Sequence, residues 1–157
     1  MVGLLDGKPY EVFTGRADGV FQLPQWVNKG WVIKRPNGAE RKSRYDLQYE
    51  DAEGYRVTIE GLSRSFEPEY WNYAILISGM LRQRMPLPQV VDMVGRLKLY
   101  DETLNTWKNG MARVLKRFIP NGEAAADRLC PECGDAEGLY YEEGCLKCRS
   151  CGQSKCG

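Results

Sequence analysis

Cysteine is the residue type in this chain best suited to chemistry, and all six cysteines fall in the last 28 residues, from Cys130 onward, with none in residues 1–129. Cys130-Pro131-Glu132-Cys133-Gly134 and Cys148-Arg149-Ser150-Cys151-Gly152 repeat the pattern Cys-x-x-Cys-Gly, with fourteen residues between Cys133 and Cys148. Two residues between cysteines let the backbone turn around a metal, the glycine permits the tight turn, and two such knuckles supply four sulfurs for tetrahedral zinc. Histidine is absent, so a zinc site here has to be built from thiolates. A tail of fewer than about 30 residues cannot bury enough apolar surface to fold alone, so metal binding would supply much of its folding free energy.

Four ligands leave two cysteines over, and spacing alone does not settle which. The set with glycine after each knuckle, Cys130, Cys133, Cys148 and Cys151, is the preferred one and leaves Cys145 and Cys156. Cys145 and Cys148 have knuckle spacing too, so Cys145 is an alternative to Cys151, leaving Cys151 and Cys156. A spare pair suits thiol–disulfide exchange, and Lys155 beside Cys156 would stabilise the nucleophilic thiolate.

Clustered cysteines in a reducing compartment are more often metal ligands or redox thiols than structural disulfides. A cytoplasmic location is expected, because no stretch reaches 18 consecutive apolar residues and the N-terminus lacks signal-peptide character. The net charge of +1, from 22 basic and 21 acidic residues, gives no general attraction to nucleic acid or membrane. Direct nucleic-acid binding is therefore not expected, although Arg128, Lys147, Arg149 and Lys155 flank the knuckles. Four zinc-bound thiolates would carry a charge of about −2 that these cations can offset.

The elements that must position the cysteines read as α+β. Pro9–Phe13, Gly30–Lys34, Tyr45–Tyr49 and Tyr55–Ile59 carry strand signals. Asp6-Gly7, Asn37-Gly38 and Asp51-Ala52-Glu53-Gly54 lie at turns, which predicts an antiparallel meander of four or five strands. Met1 to Leu5 enters an apolar strand at once, so Leu4 and Leu5 should pair nearby. Three helices follow. The first starts at Pro68, with Tyr70, Trp71, Ala74, Ile75, Ser78 and Leu81 as its stripe, and the second starts near Pro86 or Pro88, with Leu87, Val90, Val91, Val94 and Leu97 spaced for one buried face. The third runs from about Asp101 to Ile119, with Leu104, Trp107, Met111, Val114, Leu115 and Phe118 on one side. Lys108, Arg113, Lys116 and Arg117 fall largely on its other side, where a solvated face and the helix dipole account for them.

The expected organisation is an α+β domain over residues 1–122, with strands to about 62 and helices over about 67–119. A linker over 123–129 and a zinc-ribbon-like module over 130–157 complete it. In the module, Leu139-Tyr140-Tyr141 should form a ribbon strand.

Gly3-Leu4-Leu5-Asp6-Gly7-Lys8-Pro9-Tyr10-Glu11-Val12-Phe13 resembles the C-terminal portion of adenosylcobalamin-dependent, class II ribonucleotide reductases. The similarity continues through Ile59-Glu60-Gly61-Leu62-Ser63-Arg64, Tyr70-Trp71-Asn72-Tyr73-Ala74, Leu104-Asn105-Thr106-Trp107-Lys108-Asn109-Gly110 and Cys151-Gly152-Gln153-Ser154-Lys155-Cys156-Gly157. In that family a pair of active-site cysteines is oxidised as the ribose 2′-hydroxyl is removed, and a flexible C-terminal dithiol re-reduces them. The resemblance implies that Cys151 and Cys156 are the shuttle pair, which conflicts with Cys151 as a zinc ligand unless Cys145 takes one of its two roles.

The resemblance further implies two partners, a ribonucleotide reductase catalytic subunit carrying the adenosylcobalamin and a thioredoxin or glutaredoxin-like donor. The chain is not expected to be catalytic alone, because residues 1–129 offer no cysteine for a thiyl radical, no phosphate-binding glycine loop and no clustered catalytic acids. Two other readings stand beside this one: a zinc-ribbon adapter for nucleic acid or protein, and a regulator that mimics the reductase C-terminal domain.

Overall fold

The computed structural model describes residues 1–15, 23–36, 44–125 and 128–156. The expected Asn37-Gly38 turn, Ala126-Asp127 within the expected linker, and Gly157 lie outside the described residues. The chain divides into two compact units, one of Met1 and Val12–Leu76, the other of Val2–Glu11 and Ile77–Gly157.

Among the described residues, three antiparallel sheets and three α-helices make up the α+β fold. The first sheet is a hairpin of β1 (Val2–Leu5) and β2 (Lys8–Val12). Asp6 and Gly7 at its turn have φ of 52° and 76°, the two positive values that a type I′ turn demands. The first unit contains β3 (Trp31–Arg35), β4 (Arg44–Glu50) and β5 (Arg56–Ile59), a meander in which Leu47 pairs with both Val32 and Ile59. The expected meander of four or five strands is thus divided: β1 and β2 pair with each other, and β3, β4 and β5 form a separate sheet. Leu4 and Leu5 sit on the hairpin and stay exposed.

Alternation along β4 sends Tyr45, Leu47 and Tyr49 to one face, where they pack with Phe13, Leu62, Val32, Val57, Phe66 and Trp71. The opposite face holds Asp46, which is fully buried. Arg44 reaches both of its carboxylate oxygens at 3.0 Å, Arg35 donates at 2.8 Å and the Gly61 N–H at 2.9 Å. The β4–β5 turn is held by Asp51, whose side chain accepts from the N–H groups of Glu53 and Tyr55.

Helix α1 (Pro68–Arg82) begins at the expected proline. Tyr70, Ala74, Ile77, Ser78 and Leu81 are buried on it, whereas Ile75 is 52% exposed. The buried face advances by three and four residues from Tyr70, and Ile75, one position past Ala74, is rotated about 100° away from it. Helix α2 (Leu87–Gly95) buries Val90, Val91 and Val94.

Helix α3 (Glu102–Lys116) starts at Asp101, whose carboxylate accepts from the Leu104 N–H at 3.0 Å. It buries Met111 and Leu115 and leaves Val114 exposed, and it ends three residues before the expected Ile119. The Lys108 ammonium donates to the Leu97 carbonyl at 3.0 Å, just beyond the end of α2.

The module's sheet consists of β6 (Leu139–Glu142), β7 (Cys145–Cys148) and β8 (Ser154–Lys155). Part of the stretch read as a linker joins it. Residues 122–125 run along β6 through Gly122 N–H to Tyr141 O, Tyr141 N–H to Glu123 O and Ala125 N–H to Leu139 O.

Candidate metal and disulfide site

Each cysteine knuckle closes by the same local bonds. The Gly134 N–H donates to Cys130 O at 2.8 Å and the Gly152 N–H to Cys148 O at 3.0 Å. The Cys130 N–H donates to Asp135 O at 2.9 Å and the Cys148 N–H to Gln153 O at 2.8 Å. Gly134 and Gly152 have φ of 73° and 75°, a conformation that costs glycine little and other residues more. The glycine after each second cysteine is therefore what allows the turn.

The two turns converge on one point. The sulfurs of Cys130, Cys133, Cys148 and Cys151 all lie within 4.8 Å of one another, with Cys130 to Cys151 at 3.6 Å and Cys133 to Cys148 at 3.7 Å. Sulfurs bound tetrahedrally to zinc at about 2.3 Å stand about 3.8 Å apart, so the four cysteines could hold a metal ion and their spacing is compatible with zinc. Cys130 and Cys148 are buried, Cys133 and Cys151 exposed.

Thiols held this close titrate unequally. The Cys130 thiol is lowered to about 7, first by the Cys133 N–H, against burial, and further by the Glu132 N–H and the thiols of Cys133 and Cys151. The Asp135 N–H draws the Cys133 thiol down, but the Cys130 thiol, burial and the thiols of Cys151 and Cys148 together push it up to about 12. One thiolate forms readily and the next resists a second negative charge; a bound dication would reverse that resistance.

A supporting layer lies behind the sulfurs. The Asp135 carboxylate accepts from the N–H groups of Glu137 and Gly138 and from the Ser150 hydroxyl. A Cβ at Gly138 would fall 2.5 Å from the Asp135 Oδ2 and 3.1 Å from the Cys148 Sγ. Neither Asp135 nor Gly138 stands out in the sequence, because what makes them matter is the return of β7 past them.

The remaining two cysteines are joined to each other, Cys145 to Cys156, with Cα atoms 4.4 Å apart. The ladder accounts for this. Leu146 faces Lys155 and Lys147 faces Ser154, so one more step along each strand sets Cys145 opposite Cys156. Cys151 lies in the turn between those strands with its sulfur in the cluster. Cys156 is thus bonded to Cys145, the alternative partner, and not to Cys151.

Three of the four cations that flank the knuckles are engaged locally. Arg128 pairs with Asp92, Lys147 with Glu142, and the Arg149 guanidinium lies 5.0 Å from the Tyr140 ring centroid. Among the described residues no helix is long and apolar enough to cross a membrane.

Residues 1–120 match the family model described as the NrdJ homologue C-terminal domain. The chain belongs to that family and is a relative of the C-terminal portion of the NrdJ class II ribonucleotide reductase. No curated protein and no solved structure matches it. The cysteine module lies beyond the matched residues.

Proposed function

We propose that this chain supports turnover of a class II ribonucleotide reductase, with the Cys145–Cys156 pair relaying electron pairs and the other four cysteines holding a structural zinc ion. The observation that carries the reading is the segregation of the sulfurs: Cys130, Cys133, Cys148 and Cys151 group together, while Cys145 and Cys156 are bonded to each other. With Cys145 as partner of Cys156, no cysteine has to serve as both metal ligand and shuttle. Zinc fixes the knuckles and carries no electrons, since its oxidation state does not change. Residues 1–122 would dock on the catalytic subunit that binds nucleotide and adenosylcobalamin, and a thioredoxin-like dithiol would recharge the pair.

In one cycle the reduced pair attacks the catalytic subunit's disulfide. One thiolate forms a mixed disulfide, the second displaces it, and the two electrons pass across, leaving Cys145–Cys156 oxidised. The donor dithiol then reduces that bond and becomes a disulfide itself.

The test compares a single turnover of pre-reduced enzyme with continuous turnover driven by thioredoxin. Cys156→Ser and Cys145→Ser should keep the first and stop the second while retaining one zinc per chain. Cys151→Ser should lose the zinc. Equal rates in both assays for Cys156→Ser would exclude the relay, and a Cys151→Ser chain that keeps its zinc would exclude the ligand set.

A further inference from the structure

The cations late in α3, which the helix dipole explains on sequence grounds, lie beside the disulfide. A Cβ at Gly144 would be 3.8 Å from the Arg117 Cα and the Lys116 carbonyl carbon, and Gly144 directly precedes Cys145. The tight turn of Glu143 and Gly144, with φ of 53° and 75°, therefore sets the first half of the disulfide against the end of α3. Lys155 precedes Cys156 and faces Leu146 across the ladder. Arg113, Arg117, Arg128 and Lys155 are exposed. The Lys116 ammonium is held below its usual range, first by burial and then by the charges of Arg128, Lys155 and Arg113, so these cations share one neighbourhood.

Asp92 pairs with Arg128 and also with Arg96, Glu142 with Lys147, and the exposed Glu143 contributes one further negative charge on the turn. The four-cysteine cluster is centred at the other end of β7, three strand steps or about 10 Å from Cys145. At ordinary ionic strength that is about one screening length.

We propose that Lys116, Arg117 and Lys155 form an electropositive collar beside the Cys145–Cys156 disulfide that selects an anionic electron donor, a protein dithiol whose reactive sulfur is ringed by Asp and Glu. This rests on the reading of that disulfide as the relay pair. The donor thiolate attacks the exposed Cys156 sulfur, the Cys145–Cys156 bond breaks and the Cys145 sulfur leaves as thiolate. The second donor thiolate then displaces Cys156, so that two electrons enter this chain and the donor leaves as a disulfide. The collar attracts the incoming anion and stabilises the Cys145 thiolate that departs.

The test reads the potential at the disulfide with three small thiols: anionic 2-mercaptoethanesulfonate, neutral 2-mercaptoethanol and cationic cysteamine. Rates are taken per thiolate and referred to the same thiols acting on hydroxyethyl disulfide. At low ionic strength the native chain should react about tenfold faster with the anionic than with the cationic thiol. In 0.5 M KCl the ratio should fall to within about twofold. Lys155→Glu, on an exposed two-residue strand, and Lys116→Glu together should flatten the preference in low salt, and a poly-glutamate peptide should slow reduction by thioredoxin. Equal rates for the three thiols on the native chain, or a preference unchanged by the double reversal, would overturn the proposal. So would a single-stranded oligonucleotide that shields the disulfide better than poly-glutamate, since that assigns the collar to nucleic acid. The charge preference needs no reductase, so it fails separately from the turnover assay.

Discussion

At the scale of single residues, Asp46 shows how a carboxylate can be buried and still ionised. Burial alone would raise its pKa, but the Gly61 N–H and the guanidinium groups of Arg35 and Arg44 outweigh that and hold it below 3.8. The stability this contributes is full above the unfolded value and is lost as pH falls from there through the folded one. Asp46→Asn should cost about 1–3 kcal/mol at neutral pH and should flatten the fall in stability below pH about 4. Urea melts of both chains across pH 2.5–7 read this, and parallel pH profiles for the two would reject it. Cys145 and Cys156 are the same kind of case, because their pairing depends on what each faces and not on their spacing along the chain.

At the scale of elements, α3 precedes the module within the second unit. Asp101 caps its start, accepting the Leu104 N–H on its carboxylate, and its grip on the unit depends on Met111 and Leu115, the latter fully buried. Asp101→Ala should destabilise the chain by about 1 kcal/mol, and Leu115→Ala by about 2–5 kcal/mol through the cavity it leaves. Denaturant midpoints at constant slope measure both, and a larger loss for Asp101→Ala than for Leu115→Ala would contradict this division of roles. The module's sheet depends on short ladders: β8 contributes two residues, and its register alone brings Cys156 to Cys145.

At the scale of the whole molecule, the first of the two compact units and the cysteine module, itself part of the second unit, have different means of support. The first has an apolar cluster around Phe13, Leu47, Tyr49 and Leu62. The cysteine module contributes only Cys130, Leu139 and Cys148 as buried members of its own cluster, with Ala125 and Leu146 against them, which is too little to fold without a staple. Chelation should therefore remove hydrogen-exchange protection from Tyr141 and Cys148, whose N–H groups bond to Glu123 and Gln153, while Leu47 and Tyr49 in β4 keep theirs. Unchanged protection at Tyr141 and Cys148 after chelation would show that the module stands without metal.

The residue pattern by itself determined whatever depends on local backbone geometry. Asp6-Gly7 makes its hairpin, Pro68 opens α1, Asp101 starts α3, and each Cys-x-x-Cys-Gly run closes the same turn, because φ preferences and hydrogen bonds within five residues are properties of the segment. Only the tertiary structure decided which sulfurs meet. The glycine after each knuckle favoured Cys151 as a ligand, but Cys145 also had knuckle spacing to Cys148, and the family resemblance paired Cys151 with Cys156. The choice was made by the β7–β8 register and by the return of the second knuckle to the first. The cations at the end of α3 likewise read as a solvated face until the Glu143-Gly144 turn brought the disulfide beside them, since proximity across nearly 30 residues of chain is set by packing and not by sequence order.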